Sequence, residues 1–210
     1  MFISFEGIDG SGKSTQLTLL REWLEERGHR VLTVREPGAT MLSESIREIL
    51  LSNKQSITST AELLLFSAAR TQLVETVILP ALERGEIVLC DRYVDSTTAY
   101  QGYGRMLDMD EVRQCNRIAT RGVMPSVTYF IDVPYDQAQQ RMQFGPTSAE
   151  PDRMERSGKA FFERVRAGYL AIAAAEPERC RVVDVLQDRD AVHQAVLAAL
   201  PDLGQPVRNP

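Results

Sequence analysis

The sequence predicts an α/β fold in which helices cover both faces of a parallel sheet. Short apolar runs alternate along the chain with longer amphipathic segments, and this alternation is typical of parallel strands joined by helices. Residues 87–90 are apolar at every position, as expected of a strand that is buried on both faces. The first apolar run passes directly into a glycine-rich turn and then a helix, so a tight loop joins the first two elements.

Strands are predicted from short β-rich apolar runs, and helices from apolar positions that recur every three or four residues. Strands are expected at residues 2–6, 31–34, 87–90, 127–131 and 181–185. Helices are expected at about residues 13–28, 42–50, 58–83, 96–102, 110–121, 135–142, 158–175 and 189–200. Pro80 is expected to kink or end the long helix, because proline lacks the backbone N–H that a helix interior needs.

The chain is expected to form one domain from residue 1 to residue 203, followed by a frayed tail at residues 204–210. Its 210 residues suit a single sizeable core, and no linker or internal repeat divides them. Residues 145–151 break all periodicity, so a lid segment is expected at about residues 143–157.

Composition limits the classes of function. Apolar residues make up 43% and charged residues 25%, which is typical of a globular protein. The net charge of -5 argues against coating of nucleic acid or binding to a membrane surface, and no apolar run reaches the length of a membrane span. The start of the chain lacks the cationic region of a signal peptide. Cys90, Cys115 and Cys180 are widely spaced, which favours reduced thiols in a cytoplasmic protein over disulfides or zinc.

The glycine-rich turn matches the phosphate-binding pattern G-x-x-x-x-G-K-[ST] at every fixed position, from Gly7 to Ser14. Glycines let backbone N–H groups turn inward around phosphate oxygens, and the N-terminus of the next helix adds partial positive charge. Lys13 is expected to reach the β- and γ-phosphates, and Ser14 to offer a hydroxyl to Mg²⁺. The alternative is a glycine turn that only joins a strand to a helix. The flanking elements favour a site for a nucleoside triphosphate.

Three classes of protein use such a loop: small-molecule kinases, GTPase or ATPase switches, and nucleotide-binding modules without catalysis. A GTPase carries an Asn-Lys-x-Asp guanine reader. The nearest string, at residues 53–56, lacks the aspartate and precedes the strand that should come before it. A motor-like ATPase is usually larger. The pattern favours a kinase and leaves the switch as the alternative.

A second informative site follows the buried strand at residues 87–90. Asp91 can hold Mg²⁺ through water at the end of that strand, and Arg92 brings a fork of donors to the same crevice. The alternative is an Asp–Arg pair that only closes the strand end.

The type of acceptor follows from the distribution of acid–base groups. Neither His29 nor His193 lies near a motif. An acceptor phosphate needs no base, because its second pKa is about 6 and it is largely dianionic at neutral pH. It needs converging cations, and Lys13, Arg35, Arg70 and Arg92 occupy strand ends or motif-like positions. The pattern favours a phosphate acceptor, and an aspartate base serving an alcohol stays open as the alternative.

From residue 2 to residue 200 the chain resembles bacterial thymidylate kinases. The matching strings are the phosphate-binding loop and residues 35–38, 66–70, 91–93 and 96–102. The resemblance implies a P-loop kinase fold with a five-stranded parallel sheet and a lid, usually as a homodimer. It implies transfer of the γ-phosphoryl group of ATP, with Mg²⁺, to the 5′-phosphate of dTMP in DNA precursor synthesis. Another nucleoside monophosphate kinase remains the alternative within the class.

The resemblance also assigns site residues. It implies that Phe66 stacks on the thymine ring, that Arg70 donates to a thymine carbonyl, and that Thr97 and Gln101 bond the base edge. The resemblance further implies that Tyr100 crowds the 2′ position of the sugar, that Asp9 lies near the 3′-hydroxyl, and that Arg35 and Arg92 clamp the acceptor phosphate. Without the family match, the alternative for Phe66 is plain core, and the alternative for Arg70 is a solvated helix residue. The implied ATP-binding residues are Gly7, Asp9, Gly10, Ser11, Gly12, Lys13, Ser14, Thr15 and Arg141, and the implied catalytic residues are Lys13, Asp91, Arg92 and Arg153.

Three arginines flank the irregular segment: Arg141, Arg153 and Arg156. Some relatives place an arginine inside the phosphate-binding loop, where this chain has Gly10 and Ser11. Arg153 is therefore expected to reach the transferred phosphoryl group when the lid closes. The alternative for each of the three is an ordinary solvated charge.

Overall fold

A parallel sheet forms the centre of the fold. The computed structural model describes residues 1–143, 152–184 and 188–203. The strands in these residues are β1 (Phe2–Glu6), β2 (Val31–Arg35), β3 (Ile87–Asp91), β4 (Val127–Asp132) and β5 (Cys180–Asp184). They lie in the order β2-β3-β1-β4-β5, and every neighbouring pair is parallel. The predicted fold class is confirmed.

Helical segments connect the strands. The α-helices in the described residues are α1 (Lys13–Glu25), α2 (Met41–Leu51), α3 (Ser59–Leu73), α4 (Leu79–Glu83), α5 (Val94–Thr97), α6 (Met109–Thr120), α7 (Tyr135–Gln143), α8 (Lys159–Ala175) and α9 (Arg189–Ala198). Two π-helical segments, Val74–Ile78 and Thr98–Gly104, continue α3 and α5, and a short 3₁₀ segment lies at Glu155–Ser157. These bounds agree with the predicted elements to within a few residues.

Both faces of the sheet are covered, as predicted. One apolar cluster contains Ile3, Phe5 and Tyr129 with residues of α1 and α8, and a second contains Phe2 and Val88 with residues that follow α3. The strand at the centre, β1, is buried along its whole length. Its position next to both β3 and β4 brings the residues that follow these strands to one edge of the sheet.

The long helix predicted at residues 58–83 runs on past Pro80. A π-helical segment, Val74–Ile78, precedes the proline, which lies in the first turn of α4. Proline lacks an N–H donor and clashes with the carbonyl one turn earlier, and the wider π turn accommodates both effects. The proline therefore interrupts the α-helical pattern without ending the helical rod.

By length and composition alone, the same helical stretch, Ser59–Glu83, could cross a membrane, in contrast to the expectation that no apolar run reaches that length. Leu73, Val74 and Ile78 are fully buried in the cluster around Phe2 and Val88. Part of its apolar surface therefore packs against the sheet.

Three predictions concern the ends of the chain, the lid and the cysteines. The tail at residues 204–210 and the lid residues 144–151 lie outside the described residues. Cys90, Cys115 and Cys180 are free thiols.

Candidate active site

The phosphate loop, residues 7–14, connects β1 to α1 and depends on its glycines. Gly7, Gly10 and Gly12 have φ angles of 141°, 77° and 97°, in the region that favours glycine. A Cβ atom on Gly7 would lie 2.6 Å from the carbonyl oxygen of Ile131, and one on Gly10 would lie 2.5 Å from that of Ala138. The loop is therefore packed tightly against neighbouring backbone at Gly7 and Gly10 and leaves no room for larger residues at these two positions.

Lys13 is the first residue of α1, and its side chain is buried beneath the loop. Its Nζ donates to the carbonyl of Ile8 at 3.0 Å and lies 4.0 Å from Oδ1 of Asp9. Burial and the nearby charge of Arg92 lower the pKa of Lys13, although Asp9 and Asp91 oppose the shift. A phosphate group at the loop would add further negative charge near this ammonium and would raise the pKa of Lys13.

Ser14 and Asp91 meet where α1 begins and β3 ends. The hydroxyl of Ser14 donates to Oδ2 of Asp91 at 2.6 Å, although the two residues are far apart in sequence. A hydroxyl and a carboxylate side by side are oxygen ligands that suit Mg²⁺. Thr15 is exposed beside Ser14 on the same helix end. The two residues predicted to hold the metal therefore lie together.

Arg92 follows Asp91 in a left-handed conformation, with a φ of 69°. Its Nη2 donates to Oδ1 of Asp9 at 2.7 Å, and its guanidinium lies 5.0 Å from the centre of the Tyr100 ring. Burial opposes ionisation of Asp9, but Arg92 and Lys13 outweigh it and lower its pKa to about 2. The phosphate loop and the end of β3 are thereby joined by an ion pair.

A cavity beside this ion pair is lined by most of the residues that the resemblance assigned to the binding site of the acceptor. We call it the main cavity. It is lined by Asp9, Glu36, Pro37, Arg47, Leu51, Phe66, Arg70, Arg92, Ser96, Thr97, Tyr100, Gln101, Asp152, Met154 and Glu155. Seven of these, Asp9, Phe66, Arg70, Arg92, Thr97, Tyr100 and Gln101, were predicted from the sequence. They come from five different segments of the chain.

Arg35 is not among the residues that line the main cavity. Its Nη2 donates to both carboxylate oxygens of Glu44 at 3.0 Å, and its side chain is 48% exposed. Arg47, one turn further along α2 than Glu44, lines the cavity instead and donates to the carbonyl of Pro37 at 3.2 Å. The structure therefore places a cation at the cavity from α2, where no motif marks it.

Arg70 is fully buried, so its interpretation as a solvated helix residue is wrong. Its guanidinium donates to Glu36 at 2.8 Å, to the hydroxyl of Thr97 at 2.8 Å and to the carbonyl of Tyr93 at 3.0 Å. Phe66, one turn earlier on α3, is half-buried and packs beside the cluster of Ile46, Leu50 and Ala69. It therefore combines a core contact with a face on the cavity.

Tyr100 and Gln101 lie in the π-helical segment Thr98–Gly104. Such segments are often found at functional sites, because the wider turn redirects side chains. Apolar periodicity predicts a regular helix here, and no local pattern marks the wider turn. Gln101 is 1% exposed and its Nε2 donates to Oε1 of Glu62 at 2.8 Å.

A buried carboxylate, Glu6, supports the cavity from the end of β1. It accepts hydrogen bonds from the backbone of Tyr93 at 2.7 Å and from the hydroxyls of Ser96 at 2.6 Å and Tyr169 at 2.9 Å. Burial and repulsion from Asp95 raise the pKa of Glu6 to about 7. Ser96 and Tyr169 in turn lie beside the guanidinium of Arg92, at 3.4 and 3.5 Å.

The arginines that flank the lid have separate positions. Arg141 on α7 donates to the carbonyl of Ser11 in the phosphate loop, at 3.4 Å. Arg153 donates to the carbonyl of Leu50 at 2.7 Å and pairs with the buried carboxylate of Glu62 at 2.6 Å. Arg153 does not line the main cavity, and its expected contact with the transferred phosphoryl group on lid closure stays a prediction. Arg156 is exposed.

Comparison with known proteins adds a family to this geometry. Residues 5–196 match the family model described as thymidylate kinase. A thymidylate kinase of Chlorobaculum parvum is 50% identical over 212 residues, covering 98% of this chain and 98% of that protein. One of Kosmotoga olearia is 48% identical and covers 94% of this chain and 93% of its own. The crystal structure of thymidylate kinase from Ehrlichia chaffeensis is 39% identical, with a TM-score of 0.75, and covers 94% of this chain and 96% of that one.

Proposed function

The chain belongs to the thymidylate kinase family, and from this premise we propose how its residues carry out the reaction. The enzyme transfers a phosphoryl group from ATP to dTMP in nucleotide synthesis. The observation that carries the residue assignments is the 2.7 Å contact between Arg92 and Asp9, because it joins the phosphate loop to the main cavity. ATP bound at the phosphate loop and dTMP bound in the main cavity would meet at this pair of residues.

On the donor side, the phosphate loop holds the triphosphate of ATP. Gly7, Gly10, Ser11 and Gly12 let the backbone approach the phosphates, and the N-terminus of α1 adds partial positive charge. Lys13 neutralises charge on the β- and γ-phosphates from its buried position. Asp9, Ser14, Thr15 and Arg141 complete the set proposed from the sequence.

Ser14 and Asp91 fit a Mg²⁺ ion that accompanies ATP. Their oxygens lie 2.6 Å apart at the edge of the phosphate loop. Among the described residues no cluster of three or more His, Cys, Asp and Glu side chains could hold a metal by itself. Such a sparse donor set is what Mg²⁺ uses when substrate phosphates and water supply the other ligands. The ion would supply charge neutralisation at the phosphates.

On the acceptor side, dTMP occupies the main cavity. Phe66 offers an aromatic face to the thymine ring, and Thr97 and Gln101 lie where the base edge would be. Arg70 is proposed to reach a thymine carbonyl while it holds Glu36. Tyr100 and Asp9 flank the sugar. Arg92 binds the acceptor phosphate, and Arg47, which also lines the cavity, lies beside it in the place expected for Arg35.

Catalysis in this arrangement depends on alignment and charge. A dTMP phosphate oxygen is already a nucleophile at neutral pH, so no general base is required. Lys13 and Arg92 offset the repulsion between the two polyanions and stabilise the charge of the transferred group. Arg141 contacts the phosphate loop in the described conformation, and we place it, in preference to Arg153, beside the transferred phosphoryl group.

The remaining proposals concern organisation. We propose one domain at residues 1–203, a lid at about residues 143–157, and a location in the cytoplasm. We also propose a homodimer that uses α2, α3 and α6, since Leu42, Leu64 and Ile118 on these helices are 51%, 56% and 66% exposed. Exposed apolar residues on adjacent helices are typical of an interface.

The experiment that tests the whole proposal measures ADP release from ATP and Mg²⁺ with dTMP, dUMP, UMP, dCMP, AMP or no acceptor. Fast release with dTMP, slower release with dUMP and background release with UMP are expected. A maximum with another monophosphate would reassign the base pocket within the kinase class. Equal slow release in all samples would indicate an ATPase or switch, and the acceptor-site assignments would fall.

A further inference from the structure

A buried carboxylate, Glu62 on α3, contacts a residue that lines the main cavity and has no part in the mechanism above. Its side chain is 1% exposed. It accepts from Nε2 of Gln101 at 2.8 Å and from Nε of Arg105 at 3.1 Å, and it pairs with Nη1 of Arg153 at 2.6 Å. Burial opposes ionisation of Glu62, but these hydrogen bonds and the charge of Arg105 outweigh it and lower its pKa. Glu62 is therefore an ionised group that can only accept hydrogen bonds.

Gln101 connects this carboxylate to the cavity. A side-chain amide has a donor end and an acceptor end that are similar in shape, so its orientation is set by its neighbours. Because Glu62 can only accept, the amide must turn its NH₂ group toward Glu62. Oε1 of Gln101 accepts no hydrogen bond within the described part of the chain. Since the residue lines the main cavity, the acceptor end is the one open to a ligand there.

We infer that Glu62 is a positioning residue that sets the hydrogen-bonding polarity of the main cavity through Gln101. By holding the NH₂ group, Glu62 leaves Oε1 of Gln101 as an acceptor for a ring N–H. Thymine and uracil carry a hydrogen on N3 at neutral pH, whereas cytosine presents an N3 lone pair. This inference rests on the proposed place of Gln101 at the base edge.

Cytosine is disfavoured in either orientation of the amide. With the amide as observed, N3 of cytosine and Oε1 of Gln101 would be two acceptors facing each other. If the amide turned to offer its NH₂ group to cytosine, Oε1 would face the ionised carboxylate of Glu62. One buried polar contact is unpaired or repulsive in each case, and sites of this kind discriminate strongly between substrates.

The test compares dTMP with 5-methyl-dCMP, which share the 5-methyl group and the sugar phosphate and differ in polarity at N3 and C4. In Glu62→Gln, residue 62 can present either an oxygen or an NH₂ group to Gln101, so the amide is free to turn. We expect the ratio of kcat/KM for dTMP to that for 5-methyl-dCMP to fall at least about tenfold. Contributions from other residues at C4 are the same in both proteins and cancel in this comparison.

Two further variants separate positioning from a general structural effect. Asp95→Asn removes another buried carboxylate, which pairs with Arg179 at 2.7 Å outside the cavity, and it should lower stability without changing the substrate ratio. In a Gln101→Ala background, Glu62→Gln should leave the ratio unchanged, because the residue through which it acts is gone. A purely structural role would not produce this dependence.

The outcomes separate this inference from the function it rests on. If Gln101→Ala leaves the KM for dTMP unchanged, the proposed base edge is wrong and the inference falls with it. If Gln101→Ala raises that KM but Glu62→Gln keeps the ratio within about twofold of the wild-type value, only the role of Glu62 is overturned. A fall of the same size in the Gln101→Ala background also overturns it.

A measurement on the unmodified enzyme applies if Glu62→Gln does not fold. The side-chain NH₂ resonances of Gln101, assigned by their loss in Gln101→Ala, should stay protected from solvent exchange when dTMP binds. Loss of protection on binding would show that the amide leaves Glu62 and would overturn the inference.

Discussion

Nη2 of Arg92 and Oδ1 of Asp9 lie 2.7 Å apart, so the residue after β3 is tied directly to the phosphate loop after β1. The two strands are hydrogen-bonded neighbours in the sheet, which brings the two residues to the same edge. Arg92 also lines the main cavity, where it lies beside Ser96, Tyr100 and Tyr169. A single guanidinium therefore contacts both halves of the site.

Arg92→Lys should lower kcat/KM for dTMP at least about a hundredfold. Lysine keeps the charge but cannot supply the fixed fork of donors that an arginine offers to a phosphate. Steady-state kinetics with ATP and dTMP provide the measurement. Arg166→Lys is the matched control, because Arg166 makes a similar pair with Asp132, at 2.6 Å, that does not line the main cavity. Equal activity of the two variants would contradict the role of Arg92.

Asp91→Asn should raise the Mg²⁺ concentration needed for half-maximal activity at least about tenfold. The change weakens a group that would orient the ion together with Ser14, and such changes usually cost ten- to a hundredfold in metal affinity. The measurement is activity against free Mg²⁺ at fixed ATP. Asp132→Asn, at the end of β4, is the control and should leave the Mg²⁺ dependence as it is. An unaltered dependence in Asp91→Asn would remove Asp91 from the proposed site.

Arg141→Ala and Arg153→Ala should have different effects. Arg141 contacts the phosphate loop, so its loss should lower kcat by at least about a hundredfold with little change in dTMP affinity. Arg153 pairs with Glu62, which contacts Gln101, so its loss should affect dTMP binding and stability more than kcat. Single-turnover rates and calorimetric binding of dTMP distinguish them. A large loss of kcat confined to Arg153→Ala would restore the assignment made from the sequence.

Tyr100→Ala should weaken discrimination against ribonucleotides. The ring is 6% exposed and lines the cavity, so its removal opens space at the proposed 2′ position of the sugar. The ratio of kcat/KM for UMP to that for dUMP is expected to rise at least about tenfold. Tyr100→Phe keeps the ring and should keep the ratio. If the ratio stays constant in both variants, another group selects the deoxyribose.

Glu6→Gln should make stability less dependent on pH between about pH 5 and pH 8. Burial and Asp95 raise the pKa of Glu6 to about 7, so the folded protein holds a proton that the unfolded chain has already lost. This contribution is complete below the unfolded pKa and is lost as the pH rises through about 7. It amounts to about 3 kcal/mol. Urea denaturation at both pH values should show a larger decrease for the wild type than for the variant, and parallel decreases would contradict the shift.

Residues adjacent in the chain were the most predictable part of the site. The phosphate loop needs glycine, lysine and serine at fixed spacings, and Asp91 and Arg92 follow an apolar strand directly, so local sequence was enough to place them. The alternation of strands and helices predicted the parallel sheet for a related reason. A buried strand and an amphipathic helix each require their own short-range pattern of apolar residues.

Only the tertiary structure decided which distant residues share a contact. Arg47 lines the cavity, whereas Arg35 pairs with Glu44 and does not line it. Glu62 contacts both Gln101 and Arg153. These choices depend on how helices pack against one another, and an arginine or glutamate on a helix carries no local signal of its partner. The sequence by itself determined the loop that binds phosphate, because backbone geometry demands particular residues there. Packing determined the acceptor side, since its side chains come from segments tens of residues apart.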